Sequence, residues 1–223
     1  MLALAASAAA LAASALPAAA GSAAGGVSEG TVGAAELLDR VRDCTRISHG
    51  KYRTDQGAPA DIPVCGTKEA VFWTADMDID CDGRSTKVCN RKADPSFQAR
   101  TAFQTSTGKA LDAATLPYIV VPGPGPVWKY AEWGIEGGSV AAVIHEGKVR
   151  YAVVGDTGPT GIIGEASYAT AKGLGIDPDP RTGGAASGVT YIVFRNSQVT
   201  PIEDHTAAVS EGEELARAFV SGG

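Results

Sequence analysis

The stretch SVAAVIHEGKVRYAVVGDTGP, residues 139–159, decides the fold class of this chain. Two apolar runs, 139–144 and 148–154, flank the turn His145-Glu146-Gly147, and this pattern predicts a β-hairpin. The second run leads into Asp156, which is preceded by Gly155. A second carboxylate, Glu165, follows soon after. We therefore expect a buried strand that holds one carboxylate near another.

Other parts of the chain show similar strand patterns, and a few show helical spacing. Strands are predicted at residues 70–74, 116–121 and 188–194, and helices at 34–47, 165–172 and 211–220. Strands and helices do not alternate as βαβ units, which argues against a doubly wound parallel sheet. We predict a β-rich α+β fold with a single-domain β-barrel-like core and a few peripheral helices. A β-sandwich is the alternative.

The first residues differ in composition from the rest. Residues 1–26 are rich in Ala and Leu and have a small-residue segment near residue 20, so we expect a signal peptide or processed segment. The remainder, 27–223, is then one catalytic domain of a secreted, extracellular protein. No later apolar run is long enough to cross a bilayer, so no membrane association is expected.

The charge of the chain limits its partners. The formal net charge is −6, and Glu29 is the first charged residue. An acidic surface disfavours nucleic acid and attracts cationic ligands. Nothing in the pattern indicates an obligate oligomer, and we expect a monomer.

Four cysteines in a chain expected to be secreted predict two disulfides. They are Cys44, Cys65, Cys81 and Cys89. Three connectivities exist for four cysteines, and we favour Cys44–Cys65 with Cys81–Cys89 because each closes a short local loop. A zinc site is disfavoured because no C-x-x-C pair is present.

An acidic run follows the strand predicted at residues 70–74. Its carboxylates are Asp76, Asp78, Asp80 and Asp82, before Gly83. In an extended segment these side chains share one face, where the four carboxylates repel one another unless a cation is present. Asp78-x-Asp80-x-Asp82-Gly83 opens like a calcium loop, but the twelfth position is Cys89 instead of Glu. Structural calcium, the ammonium groups of an amino sugar and a solvated acidic loop remain open.

Asp156 and Glu165 are the candidates for acid/base chemistry. Two carboxylates on rigid elements are what cleavage of a glycosidic bond requires. The alternative is a turn aspartate and a glutamate at a helix start, where both residue types occur for local reasons. A helix start also favours ionised Glu165, which opposes a general-acid role unless burial or a like charge raises its pKa.

Aromatic residues offer a second kind of sugar contact. Trp128 and Tyr130 follow a Pro-Gly loop and alternate with polar residues, so we expect them to stack on substrate. Core packing is the alternative. No G-x-S-x-G or H-E-x-x-H motif is present in the sequence.

The motifs at residues 76–83, 151–159 and 164–167 together resemble glycoside hydrolase family 75, secreted endo-chitosanases of fungi and actinobacteria. The resemblance spans residues 50–199. It implies hydrolysis of β-1,4 bonds between glucosamine units of chitosan, with inversion and without a cofactor. It also places the essential carboxylates on Asp156 and Glu165.

For this pair we predict that Glu165 is the general acid and Asp156 the general base. Asp76, Asp78, Asp80 and Asp82 are expected to bind the ammonium groups of the substrate. Two other classes remain: a non-catalytic carbohydrate-binding module, and a cell-wall glycosidase with a different substrate.

Overall fold

The computed structural model describes Met1 and residues 29–222. Apart from Met1, the predicted signal segment 1–26 therefore lies outside the described residues. The strands are β1 (Cys65–Gly66), β2 (Ala70–Asp80), β3 (Tyr118–Pro122), β4 (Val140–His145), β5 (Lys148–Gly158), β6 (Glu165–Ser167) and β7 (Ala185–Phe194). The helices are α1 (Ala34–Arg40), α2 (Tyr168–Leu174) and α3 (His205–Val220).

Six of the strands close into a barrel. Their order is β2-β6-β3-β5-β4-β7, and β7 pairs back with β2 to complete the ring, while β1 adds to the edge of β2. The sheet is mixed, because β2–β6 and β3–β5 are parallel and the other pairs are antiparallel. The predicted barrel-like α+β fold and the β4–β5 hairpin are confirmed.

Alternating side chains divide the apolar core between the two faces of the barrel wall. One cluster fills the interior, where the rings of Trp73 and Tyr191 stack with centroids 5.3 Å apart. The other cluster lies outside and is covered by α1 and α3; there Phe219 of α3 meets Phe194 edge-on at 6.0 Å. Side chains on the outer face that helices do not cover are free to form a site.

The helix predicted over residues 34–47 is wrong in its second half, because α1 ends at Arg40. Beyond it the chain turns, and Arg46 forms an isolated bridge with Cys65 of β1. The Cys44–Cys65 disulfide ties this segment to the sheet, so it follows the strand instead of continuing the helix. The second disulfide is Cys81–Cys89, and the favoured pairing is confirmed.

Three predicted boundaries around the acidic residues are also wrong. β2 continues through the acidic run to Asp80, and β5 continues through Asp156 to Gly158. Glu165 opens strand β6, whereas α2 begins only after Ser167, whose side chain accepts a hydrogen bond from the Thr170 N–H. Hydrogen bonds to neighbouring strands, which local spacing does not reveal, hold these polar segments extended.

Candidate active site

A row of four residues crosses the barrel wall and carries three carboxylates. Asp78 of β2 is in register with Glu165 of β6, Glu165 with Val120 of β3, and Val120 with Asp156 of β5. Residues paired in register point to the same side of a sheet. Val120 belongs to the outer apolar cluster, so the three carboxylates also project from the outer face.

Asp156 owes its place in the row to an irregularity in β5. Ile119 pairs with Val154 but Val120 pairs with Asp156, so the register shifts at Gly155. A Cβ at Gly155 would lie 2.6 Å from Cβ of Tyr118, which shows that a close approach of the strands requires glycine here. The bulge turns Asp156 to the outer face, as bulges beside functional sites commonly do.

Backbone donors hold the Asp156 carboxylate in place. Its Oδ1 accepts hydrogen bonds from the N–H groups of Ala102 and Thr157, each at 2.7 Å. The residue is 7% exposed, and this burial raises the pKa of its carboxyl. The two N–H donors and the nearby Arg100 charge oppose that rise.

Glu165 has a different environment. It is half-buried, and burial together with the charges of Asp78, Asp82, Asp156 and Asp94 raises the pKa of its carboxyl to about 7. A Cβ at Gly158 would lie 3.2 Å from Glu165 Oε2, so glycine there leaves room for the carboxylate. Because Glu165 lies on a strand, the expected helix-start effect does not act on it, and its surroundings favour the protonated form.

Asp80 lies in the next row beneath Glu165. It is 6% exposed and in register with Ser167, and its Oδ1 accepts the N–H of Asp82 at 2.6 Å. Burial first, and then the Glu165 charge, raise the pKa of Asp80 well above its usual range. Burial likewise raises the pKa of Asp82 to about 6. Because these carboxyls lie close together, ionisation of one of them disfavours ionisation of the others.

The row opens into a cleft of about 580 Å³ that contains six carboxylates. They are Asp78, Asp80, Asp82, Asp94, Asp156 and Glu165. Asp94 and Arg181 also line the cleft, although no sequence pattern predicted them there. Both lie in irregular loops with no periodic pattern; the signal for Asp94 was the Cys81–Cys89 disulfide, which returns the following segment towards β2.

Three of the predicted site residues do not line this cleft. Asp76 is 6% exposed beside Gly164, and burial raises its pKa to about 7. Trp128 is buried in the inner cluster, edge-on to Trp73 at 6.2 Å. Tyr130 packs edge-on against Trp128 at 6.5 Å. The structure thus brings Asp78, Asp80 and Asp82 to the catalytic candidates and leaves Asp76, Trp128 and Tyr130 elsewhere.

The possibility of calcium at Asp78, Asp80 and Asp82 requires these residues to form a calcium-binding loop. The first two of these residues lie instead on an extended strand. Within residues 29–222, no group of three or more His, Cys, Asp or Glu side chains is arranged to hold a metal ion. In the same part of the chain, no helix is long and apolar enough to span a membrane.

Comparison with known proteins addresses the same region. A family model described as fungal chitosanase of glycosyl hydrolase group 75 matches residues 77–219. The endo-chitosanase B of Aspergillus oryzae (strain ATCC 42149 / RIB 40) is 36% identical over 133 residues, which are 56% of this chain and 55% of that protein. An endo-chitosanase of Aspergillus fumigatus is 37% identical over 141 residues, covering 57% of this chain and 59% of that protein.

A further endo-chitosanase of A. oryzae is 33% identical over 166 residues, or 66% of this chain and 68% of that protein. The chain spans little more than half the length of the first of these relatives. The family match runs from β2 to α3 and contains the whole row of carboxylates. Since it also covers more than half of the chain, this protein belongs to glycoside hydrolase family 75.

Proposed function

We propose that this protein is an endo-acting hydrolase that cleaves β-1,4 bonds between glucosamine units of chitosan with inversion. Glu165 is the general acid and Asp156 the general base. The observation that carries the proposal is the register Glu165–Val120–Asp156, which puts two carboxylates on one face of an acidic cleft with a single strand between them. The relatives named above, all endo-chitosanases, support the same substrate class.

The strand spacing supports inversion. Neighbouring strands lie about 4.8 Å apart, so Glu165 and Asp156 on β6 and β5 are about 9.6 Å apart at the backbone. An inverting pair needs a carboxyl separation of about 6.5–9.5 Å, which leaves room for the attacking water. Asp78 is only one strand from Glu165, about 4.8 Å at the backbone, which is close to the carboxyl separation of about 5–5.5 Å in a retaining pair. Asp78 as a nucleophile is therefore the competing mechanism.

The surroundings of the two carboxyls suit their proposed roles. With a pKa raised to about 7, Glu165 keeps its proton in weakly acidic solution and donates it to the glycosidic oxygen as the C1–O bond breaks. Water attacks C1 from the opposite face of the sugar, and its proton passes to Asp156. The N–H groups of Ala102 and Thr157 favour the ionised form of Asp156 that this step needs.

The charge of the cleft supports chitosan as the substrate. Chitosan carries ammonium groups in weakly acidic solution, and carboxylates bind them through charge-assisted hydrogen bonds. The acid and base roles leave four cleft carboxylates for this purpose, those of Asp78, Asp80, Asp82 and Asp94. Neutral chitin has no such group to offer, so the cleft discriminates by charge.

The first experiment is a reducing-end assay on chitosan, chitin, cellulose and peptidoglycan. We expect release from chitosan and little from the others. A carbohydrate-binding module would bind chitosan without releasing ends, and a different cell-wall glycosidase would prefer another polymer. Either result would overturn the proposal.

The mechanism is tested separately by NMR of the first product formed. Inversion gives the α-anomer, and a β-anomer would point to Asp78 instead. Asp156→Asn and Asp78→Asn are compared in the same assay, with the exposed Asp61→Asn as the control outside the cleft. We expect Asp156→Asn to abolish turnover and Asp78→Asn mainly to raise KM.

We further propose that residues 27–223 form the catalytic domain and act outside the cell as a monomer. Two disulfides support an oxidising compartment. Amino-terminal sequencing of protein from culture medium tests processing near residue 26. Light scattering on the purified protein tests the monomer.

A further inference from the structure

One buried carboxyl near the cleft takes no part in the acid and base roles described above. Asp76 lies on β2 two residues before Asp78, so both side chains point to the outer face of the barrel. Asp78 is exposed and lines the cleft, whereas Asp76 is only 6% exposed and does not line it. Another part of the chain therefore covers Asp76 and leaves Asp78 open.

The segment that leads into β6 forms this cover. A Cβ built at Gly164 would clash with Oδ1 of Asp76 and would lie 3.1 Å from Cβ of Ala75, so the backbone here rests directly on β2. Gly164 also has a φ of +118°, a conformation that residues with a side chain rarely adopt. Glycine is thus what allows the chain to cross Asp76 at this short range.

Gly164 connects Asp76 to the proposed general acid. It directly precedes Glu165 in the chain, and its carbonyl accepts a hydrogen bond from the N–H of Asp78 at 2.8 Å. The start of β6 is therefore held to β2 by this hydrogen bond and rests on the Asp76 carboxyl. A displacement of Gly164 moves Glu165 with it, because the two residues share a peptide bond.

The surroundings of the Asp76 carboxyl favour its neutral form. Its Oδ1 is buried and accepts no hydrogen bond from the described residues. The neighbouring charges, on Asp78 of the same strand and on Asp55 of the loop before β1, are both negative. Tyr191 of β7 donates its hydroxyl hydrogen to the backbone carbonyl of Asp76, at 2.9 Å, and not to the carboxyl. Burial and then the Asp78 charge raise the pKa of Asp76 to about 7, although its own N–H opposes the rise.

Ionisation of Asp76 disfavours the closed arrangement of this segment. A buried charge without a hydrogen-bond donor is costly, so the ionised carboxylate favours movement of Gly164 that admits water. Because the pKa of Asp76 is raised in the folded state, its stabilising contribution is complete below about pH 4 and is lost as the pH rises through about 7. The cover is therefore most secure in weakly acidic solution.

We propose that Asp76 is a positioning residue for Glu165: its neutral carboxyl supports Gly164 and holds the start of β6 where Glu165 faces the cleft. When Asp76 ionises, this support is lost and Glu165 shifts away from the glycosidic oxygen. Asp76 itself does not touch the substrate and acts only through Gly164. The inference rests on the proposed role of Glu165 as the general acid.

The first test compares the wild type with Asp76→Ala and Asp76→Asn on soluble glucosamine oligomers at about pH 5. Asp76→Ala should lower kcat per folded molecule by about 10–100-fold with little change in KM, because the space left beneath Gly164 lets the acid shift. Asp76→Asn preserves the size and the neutral state of the side chain, so its kcat should stay within about twofold of the wild type.

The pH profile separates positioning from a merely structural role. In the wild type Asp76 and Glu165 must both hold a proton, so log kcat should fall above about pH 7 with a slope approaching about 2. Asp76→Asn has no carboxyl to ionise there, and its slope should be about 1. Phe219→Leu, which removes volume from the outer cluster beneath α3, is the control. It should lower Tm but keep the wild-type kcat and the wild-type slope.

A wild-type kcat in Asp76→Ala, or a slope that Asp76→Asn leaves unchanged, overturns the positioning role. If Asp76→Ala does not fold, the slope of Asp76→Asn decides alone. A different failure would concern the proposed function: a wild type that releases no new ends from the oligomers, or Glu165→Gln with wild-type kcat. Either of these outcomes removes the general acid on which Asp76 is inferred to act.

Discussion

Glu165 in the cleft and Glu213 on α3 are two shielded glutamates with opposite electrostatic surroundings. Burial and four neighbouring carboxylates raise the pKa of Glu165 to about 7. Burial alone would also raise the pKa of Glu213, but hydrogen bonds from the Thr31 hydroxyl, the Thr31 and Val32 N–H groups and Arg217 lower it to about 2. The surroundings of Glu213 supply hydrogen-bond donors to its carboxylate, whereas those of Glu165 supply like charges.

This difference separates a structural carboxylate from a reactive one. The hydrogen bonds from Thr31 to Glu213 join α3 to the segment before α1, and the ion pair with Arg217 holds the carboxylate within α3, so its negative charge stabilises the fold. Glu165 gains no such stabilisation when it ionises, because Asp78, Asp82 and Asp94 repel the charge. A folded chain retains such repulsion where function requires it.

The largest expected effect concerns activity. Glu165→Gln should lower kcat on chitosan by about 10²–10⁴-fold, because the general acid is lost while the shape is kept. Glu213→Gln, measured as turnover per folded molecule, should stay near wild type. Near wild-type kcat in Glu165→Gln would show that another carboxyl donates the proton.

The second effect concerns stability at neutral pH. Glu213→Gln should lower the free energy of unfolding by about 2 kcal/mol at pH 7, because a charged acceptor of several hydrogen bonds is lost. The lowered pKa means that this contribution is present above about pH 4.5 and disappears as the pH falls towards 2. Urea unfolding at pH 7 and pH 3 measures it; an equal loss at both would contradict the charged role.

A smaller effect of opposite sign is expected in the cleft. The raised pKa values of Asp82 and Glu165 mean that the folded state holds protons the unfolded chain releases. Their contribution is therefore complete below about pH 4 and is lost as the pH rises through about 6 to 7. Asp80→Asn removes one repelling group and should raise Tm at pH 8 by about 2–4 °C, but not at pH 4. A lower Tm at pH 8 would mean that Asp80 is structural, as Glu213 is.

The smallest effect is that of salt. Chitosan binding through the exposed Asp78 should weaken several-fold between about 0.01 and 1 M ionic strength, since the screening length falls from about 30 to 3 Å. Kinetic measurements should show a rise in KM with little change in kcat. A KM independent of salt would remove charge as the basis of substrate binding.

The sequence alone predicted much of the candidate active site. The apolar run before Asp156 predicted a buried strand, and the acidic alternation at residues 76–82 predicted carboxylates on one face. Asp76 does not line the cleft, contrary to the prediction, because its burial beside Gly164 depends on a loop from another part of the chain. Trp128 was expected to contact substrate because its neighbours in the sequence are polar, but it lies in the core beside Trp73.

The sequence by itself predicted the apolar parts of β2, β3, β4, β5 and β7. It also favoured the disulfide pairing that forms and indicated the two carboxylates proposed for catalysis, since these depend on local pattern and short loops. Only the tertiary structure decided that those carboxylates lie in one row on the same face of the sheet. β6 inserts between β2 and β3, and the bulge at Gly155 turns Asp156 outward, so residues from four strands form one row. That row depends on long-range pairing, which local spacing does not show. The same pairing shields Glu165 from solvent and surrounds it with like charges, and both effects raise the pKa of its carboxyl.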